Sequence, residues 1–239
     1  MAVAAHRVQS LTGTRLPGAR VAEIQRAKIL AAATQVLDEY GHTGTTISRI
    51  TSRARVSRTC FYELFDDRDG CLAAILDLAA APVERELAAA AALPFGERVR
   101  AGLQAILGLF DRDRALARVC VVEALRCGPV VIERRALLLA RLAAALERGG
   151  SEHAGARGRS QLTAQALVGA VFCMLHTRIV RRSREPLADL VPDLLAMLLL
   201  PYQADGRARR PSARTVRSPR LAGALRGQPA TGAHPPGRP

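Results

Sequence analysis

Aromatic side chains are scarce in this sequence, which contains no tryptophan, three tyrosines and five phenylalanines among 239 residues. A core must therefore be built mostly from aliphatic side chains. With 49% hydrophobic residues there are enough of them to exclude a wholly disordered protein. Lys28 is the only lysine, so arginine carries almost all of the positive charge.

Sequence signatures of enzymes and metal sites are also missing. The five histidines are scattered, no two of them have metal-ligand spacing, and there is no glycine-rich phosphate loop. Nucleophilic catalysis by cysteine needs a neighbouring histidine, and Cys173 with His176 is the pair whose surroundings would decide that question. We therefore predict a protein that is not an enzyme, with no catalytic residue, no metal and no cofactor.

The five cysteines are an odd number, and none lies in a C-x-x-C motif. Because all of them fall in predicted helical and mostly apolar surroundings, we expect reduced core thiols rather than disulfides. The one candidate for an accessible, redox-sensitive thiol is Cys60, which lies close to Arg58.

Long hydrophobic runs and a secretory signal are absent as well. The longest uninterrupted apolar stretch, residues 166–175, is too short to cross a bilayer. The N-terminus has no long apolar run followed by a small-residue cleavage site. We therefore expect a cytoplasmic protein without a membrane partner.

The net charge of +14 is distributed unevenly. Residues 1–65 carry a net charge of +5, residues 66–202 only +2, and residues 203–239 carry +7. Cationic groups bind duplex DNA favourably because they release its counterions. The two basic ends are therefore the parts expected to lie near nucleic acid.

Residues 45–65 have the pattern of two short helices joined by a three-residue turn, which is typical of a helix-turn-helix DNA reader. The 3.6-residue period of a helix separates an apolar set of side chains from a polar set. Ser57 stands where the N-cap of the second helix is expected. The apolar set is Ile47, Ile50, Val56, Phe61 and Phe65, and the polar set is Arg58, Thr59, Tyr62 and Glu63.

This segment and its flanks resemble the TetR family of bacterial transcriptional repressors. Order and spacing agree over about fifty residues in register, which makes the resemblance specific; the rest of the chain agrees only in length and helical character. The sequence departs from the family at Thr51 (usually Ala), Arg55 (usually Gly) and Cys60 (often Thr or Ser). A left-handed conformation at Arg55 would cost on the order of 1 kcal/mol. The matching positions are 26–37, Tyr40, Gly41, Thr45, Thr46, Ile47, Ile50, Val56, Ser57, Arg58, Phe61, Tyr62, Phe65 and Leu72.

The resemblance implies a homodimer whose two recognition helices enter successive major grooves of a palindromic DNA operator. Arg58 is the first candidate for a base contact, because a guanidinium can bond guanine at two acceptors. Each candidate also has a structural explanation: an N-cap for Thr46, a solvated charge for the arginines, and packing against the first helix for Tyr62. Thr59, Cys60 and Glu63 are weaker candidates for base contacts, and Thr46, Tyr62 and Arg68 are the candidates for phosphate contacts. Ser57 is included among the DNA-binding residues as well.

The expected fold class is all-α, with an N-terminal three-helix helix-turn-helix domain followed by a helical ligand-binding and dimerisation domain. The expected parts are a flexible arm (1–20), the reader domain (21–67), the effector-binding and dimerisation domain (68–202) and a disordered Arg/Pro-rich tail (203–239). A mobile loop is predicted at 149–159. Helices are predicted at about 21–40, 46–53, 57–64, 68–91, 96–110, 113–127, 130–148, 160–182 and 187–200.

The body is expected to bind an unknown small-molecule effector. Glu123, Arg126 and His176 are polar residues in otherwise apolar helices and are the candidates for orienting it. The broad apolar faces of the last two helices suit a four-helix dimer interface and an intramolecular core equally well.

Two functions are therefore compared. The first is a homodimeric repressor that a ligand releases from its operator. The second is a non-specific, architectural DNA-binding protein in which the basic tail dominates.

Overall fold

The computed structural model describes residues 18–154 and 161–203, and within these ranges it contains helices and no β-strand. The all-α prediction is therefore confirmed. Residues 1–17 of the predicted arm, and the predicted tail beyond Gln203, lie outside the described residues. The helices are α1 (Gly18–Gly44), α2 (Ile47–Ala54), α3 (Arg58–Tyr62), α4 (Arg68–Ala89), α5 (Phe95–Arg112), α6 (Arg114–Val121), α7 (Pro129–Ala154), α8 (Gln161–Val180) and α9 (Val191–Gln203), with 3-10 turns at Glu123–Leu125 and Leu187–Leu190.

Helix α1 supports the reader and buries one face, which includes Ile29, Ala33 and Val36. It begins at Gly18, so the last three residues of the predicted arm are helical. Gly41 has φ +66° and interrupts the helical geometry, in the left-handed region that glycine adopts without a Cβ clash. The regular part of α1 therefore ends where the sequence predicted.

Helix α4 begins at the predicted position, because the Asp67 carboxylate accepts a hydrogen bond from the Gly70 amide (2.6 Å). This bond caps the helix and places a negative charge at the positive end of its dipole. The N-terminal half of α4 is buried almost continuously from Cys71 to Leu76. The predicted domain boundary, between residues 67 and 68, stays a prediction.

Helix α7 continues past Gly149 and Gly150, where the sequence predicted a mobile loop. A Cβ at Gly149 would lie 2.8 Å from the Phe95 ring, and one at Gly150 would lie 2.1 Å from the Tyr202 ring. The two glycines therefore allow α7 to pack against α5 and α9, and the loop prediction is wrong for residues 149–154. Residues 155–160 are outside the described ranges.

The segment predicted as a single helix over 113–127 is divided. Helix α6 ends at Val121, and a 3-10 turn at Glu123–Leu125 leads to α7. The β-branched residues Val119, Val121 and Val122 weaken helix propensity here. The result is a bend that buries the Glu123 carboxylate beneath the reader.

Helix α8 is long and apolar enough, by length and composition alone, to cross a membrane. The expectation from the sequence rested only on the uninterrupted apolar run of residues 166–175, which is shorter than the apolar helix. In the protein it packs against α7. Core helices of helical proteins pass the same test, and this one carries Arg178 in its last turn.

Three of the five cysteines are core thiols as predicted. Burial raises the pKa of Cys71 and Cys120 to about 12 and that of Cys127 to about 11. Cys60 is half-buried and Cys173 is exposed, so the prediction of core thiols is wrong for these two.

Candidate DNA-binding surface and effector cavity

The turn between α2 and α3 depends on a left-handed residue. Arg55 has φ 56° and ψ 46°, and its amide donates a hydrogen bond to the Ser52 carbonyl (3.2 Å), which is the usual way to end a helix. Thr51 is buried, and its hydroxyl donates to the Ile47 carbonyl (2.9 Å). The hydroxyl that replaces the family's alanine is therefore satisfied within α2.

Hydroxyl groups cap both helices of the reader. The Thr46 Oγ1 accepts a hydrogen bond from the Arg49 amide (3.2 Å), and the Ser57 Oγ accepts one from the Cys60 amide (3.0 Å). These bonds satisfy backbone donors that have no partner inside a helix. Ser57 is therefore the N-cap that the sequence predicted. Thr46 is also an N-cap, which is the structural explanation that was expected for it from the sequence beside a phosphate contact.

Aromatic packing holds α3 in place although it has only five residues. Phe61 is fully buried, and its ring centroid lies 5.5 Å from that of Phe65. The Arg26 guanidinium of α1 lies 4.6 Å above the Phe65 ring. The clustered aromatic residues thus connect α3 rigidly to α1.

The opposite face of α3 presents polar side chains to solvent. Arg58, Thr59, Tyr62 and Glu63 are exposed, whereas Cys60 is half-buried. Within the described ranges, the Arg58 side chain forms no ion pair and no hydrogen bond. Its guanidinium is therefore available to an external acceptor.

Arg68 is already engaged inside the protein. Its guanidinium donates to the Asp69 carboxylate (3.0 Å) and to the Thr45 carbonyl (3.3 Å). These contacts join the start of α4 to the connection between α1 and α2. The predicted phosphate contact of Arg68 stays a prediction, and the residue has a structural function beside it.

Two arginines of α2 were not selected from the sequence. The hydrogen bond between Arg53 and Glu39 lowers the pKa of the Glu39 carboxyl group and raises that of Arg53, so the charge of Arg53 is balanced. Arg49 is exposed and stacks on the Tyr40 ring at 4.6 Å. Its place three residues after the Thr46 cap is the signal that could have identified it as a candidate phosphate contact.

A cavity of about 550 Å³ lies between α4, α5, α7 and α8 and opens to solvent; its size is within the range of sites for drug-sized ligands. Leucine, valine, alanine and phenylalanine side chains dominate its lining. Two ion pairs belong to the lining as well, Arg98 with Glu152 (2.7 Å) and Arg141 with Glu84 (3.2 Å). The cavity suits a mainly apolar molecule.

The three polar residues predicted for the ligand pocket lie outside the lining of this cavity. Glu123 is 1% exposed and faces the reader, Arg126 is exposed, and His176 is half-buried on α8. Their contact with a ligand stays a prediction; Glu123 shows that a polar residue in an apolar helix can face a neighbouring helix instead of this cavity.

An ionic network joins the body to the reader. Arg118 of α6 lies 3.3 Å from the Asp38 carboxylate of α1 and 3.5 Å from the Glu123 carboxylate. The second carboxylate oxygen of Glu123 is buried without a hydrogen-bond partner. Gly128 allows the start of α7 to approach α4, since a Cβ there would lie 2.3 Å from the Asp69 carboxylate.

No group of three or more His, Cys, Asp or Glu side chains that could hold a metal ion occurs among residues 18–154 and 161–203. Cys173 and His176 both belong to α8, where Cys173 is exposed and His176 is half-buried. Neither residue lines the cavity.

A capped helix-turn-helix domain joined to an all-helical body with an internal cavity defines a class of bacterial regulatory protein. Comparison with known families agrees, because residues 29–75 match the family model described as "Bacterial regulatory proteins, tetR family". Residues 29–75 are thus a DNA-binding domain of the TetR type, and the resemblance seen in the sequence is confirmed.

Similar proteins match mainly in the reader. The regulator BetI of Burkholderia ambifaria is 35% identical over 79 residues, covering 31% of this chain and 41% of BetI. BetI of Burkholderia mallei is 34% identical over 110 residues, covering 44% of this chain and 53% of BetI. The matches thus span only about half the length of these relatives, or less.

Solved structures extend the likeness of fold to the body. FadR of Bacillus halodurans, a fatty acid degradation regulator, has a TM-score of 0.65 at 19% identity and covers 77% of this chain and 99% of its own. FadR of Bacillus subtilis, solved in complex with stearoyl-CoA, has a TM-score of 0.63 at 18% identity and covers 72% and 96%. The whole helical body therefore has the fold of these regulators.

Proposed function

We propose that this protein is a cytoplasmic, homodimeric transcriptional repressor that binds a palindromic operator through α3 and leaves it when a small molecule occupies the cavity. The observation that carries the DNA-binding part is the exposed polar face of the capped α3, with Arg58 free of internal partners among the described residues. A guanidinium in this position can reach two acceptors of guanine in the major groove.

The exposed side of α8 and α9 supports the proposed dimer. Val180 of α8 and Leu200 of α9 are 50% and 66% exposed. A Cβ at Gly169, which helical periodicity places on the same side of α8 as Val180, would meet no atom within 4 Å. An apolar face of this kind is typical of an interface between subunits. Two copies joined there would present two copies of α3 to half-sites roughly one helical turn of DNA apart.

The cavity supports ligand control. Cys120 of α6 lines the cavity, and Arg118 of the same helix contacts Asp38 of α1. A ligand that binds better to a conformation with displaced readers would shift the population away from the DNA-binding state. Helix α4, which begins at the reader and lines the cavity, is the proposed lever.

The test is selection of bound fragments from the source genome at moderate salt, followed by footprinting. We expect a protected palindrome. Arg58→Ala should lose about tenfold or more in affinity for it and relax base preference at one position of each half-site. Arg100→Ala, which removes a half-buried arginine of α5 that pairs with Glu97, is the control and should bind like the wild type.

Removal of residues 203–239 separates this proposal from the architectural one. A sequence-reading protein would lose affinity uniformly, with a smaller salt dependence, and keep the same palindrome. Complete loss of binding, or recovery of fragments without a common motif, would favour the architectural function instead.

A further inference from the structure

The cavity is lined by a half-buried arginine that has no counterion among the described residues. Arg135 of α7 lines the cavity, and its buried Nε has no hydrogen-bond partner. No acidic group among the described residues forms an ion pair with its guanidinium. Its recorded side-chain contact is with the Phe172 ring, whose centroid lies 5.8 Å away.

The other arginines of the lining do not share this condition. The Arg98 Nε is also buried without a hydrogen-bond partner, but Arg98 pairs with Glu152 through Nη2, and Arg141 pairs with Glu84. Arg148, also in the lining, is exposed. The sequence therefore supplies carboxylates for two cavity arginines and leaves Arg135 without one.

An uncompensated buried charge opposes folding, because a cation removed from water needs an anion or several acceptors in exchange. Burial lowers the pKa of Arg135 below its ordinary value, yet a guanidinium stays protonated in proteins. The protein thus maintains a partly desolvated positive charge, with a buried and unpartnered Nε, at the edge of an apolar cavity. A ligand that brought the missing anion would remove this cost.

We propose that the cavity binds an amphipathic carboxylic acid, whose carboxylate accepts hydrogen bonds from Arg135 and whose apolar body extends along α7 toward Phe95. This inference rests on the proposed ligand-controlled function and names the chemical class of the ligand. It also assigns Arg135 as the residue that selects an acid over a neutral molecule of the same shape.

The geometry fits this class in two respects. Guanidinium groups present parallel N–H donors that match the two oxygens of a carboxylate, and a single arginine balances one negative charge. The cavity then follows α7 from Arg135 to Glu152, about 25 Å of helix at 1.5 Å per residue. Leu138, Leu142 and Leu146 line this path, so the body of the ligand should be long and apolar.

The position of Arg135 also connects the ligand to the reader. Arg135 lies close enough to Cys120 of α6 to influence its thiol, and α6 carries the Arg118 contact to α1. A carboxylate bound at Arg135 would therefore lie beside the helix that touches the DNA-binding domain, while the apolar end lies far from it.

The test uses the full chain and two probes of equal length, dodecanoate and dodecan-1-ol, with affinities measured by isothermal titration calorimetry. We expect dodecanoate to bind about ten- to a hundredfold more tightly than the alcohol, the worth of a charge-assisted hydrogen bond. Arg135→Met should lower the affinity for dodecanoate to that for dodecan-1-ol. Arg135→Lys should keep part of the preference for the acid over the alcohol. Arg100→Met, which removes an arginine that lies outside the lining, is the control and should retain the full preference.

Thermal unfolding without ligand distinguishes this role from a structural one. If Arg135 mainly connects α7 to Phe172, Arg135→Met should unfold at a clearly lower temperature than the wild type. Since the substitution removes an unpaired, half-buried charge with an unsatisfied Nε, we expect an equal or higher unfolding temperature.

Several outcomes would overturn the proposal: no binding of dodecanoate, equal affinity for acid and alcohol, or an acid preference that survives Arg135→Met. Dodecanoyl-CoA has a thioester in place of the carboxylate. The proposal would also be refuted if dodecanoyl-CoA bound more tightly than dodecanoate and Arg135→Met left its affinity unchanged. Operator binding by the same preparations separates the two proposals. A bound palindrome without acid preference refutes only this inference, and acid preference without a palindrome refutes only the repressor function.

Discussion

Replacing Arg55 with glycine should stabilise the reader. The left-handed conformation of Arg55, with φ 56°, costs a residue with a Cβ about 1–2 kcal/mol. Glycine removes this strain. Its greater conformational freedom stabilises the unfolded chain, however, and this lowers the free energy of unfolding by roughly 0.5–1 kcal/mol. The net gain should be about 0.5–1 kcal/mol, which corresponds to a rise in unfolding temperature of about 1–4 °C for a protein of this size.

The assay is thermal unfolding followed by circular dichroism at fixed protein concentration. Arg55→Ala is the matched control, because it removes the same exposed side chain and keeps the Cβ that causes the strain. Arg53→Gly places a glycine inside α2 instead and should lose about 1 kcal/mol. If Arg55→Gly were no more stable than Arg55→Ala, the strain argument for this turn would be refuted.

Three further predictions concern the cap, the thiols and the network. Ser57→Ala should lower stability by about 1 kcal/mol, measured as a lower urea midpoint. Below pH 9, the ordinary thiol pKa, the buried Cys71 and Cys120 add no pH dependence; from there toward pH 12 stability should fall, because the unfolded chain loses these thiol protons first. Urea midpoints across that range check the direction, and a rise would contradict it. Arg118→Met, which removes the contact to Asp38, should leave ligand affinity intact and weaken ligand-induced release of the operator, as measured by fluorescence anisotropy.

The reader could be predicted almost completely from the sequence, because its signals are local. A cap such as Ser57 acts within three residues, and the left-handed turn at Arg55 is closed by its own neighbours. The buried side of α3 follows from helical periodicity alone. Where local chemistry determines the structure, the order of residues is sufficient.

The body could be predicted only as a set of helices. Gly149 and Gly150 indicated a loop in the sequence, whereas rings distant in the chain require their small size inside α7. Glu123 was predicted to orient a ligand because it is a polar residue in an apolar segment. In the fold its carboxylate lies near Arg118, which also contacts Asp38 of α1. Arg135 could not be identified from the sequence, because the absence of a counterion depends on the side chains of all the helices that surround it.

The proposed ligand control has a consequence that follows from thermodynamics alone. If an acid bound beside Arg135 weakens operator binding by some factor, the operator must weaken binding of that acid by the same factor. Beside α4, a second route through the described residues could carry this coupling: Cys120 at the cavity, Arg118 on the same helix, and Asp38 in the reader. Since α6 spans only eight residues, a shift at one end is transmitted to the other without an intervening hinge. Helix α6 is therefore expected to move as a rigid unit between the ligand-bound and DNA-bound states.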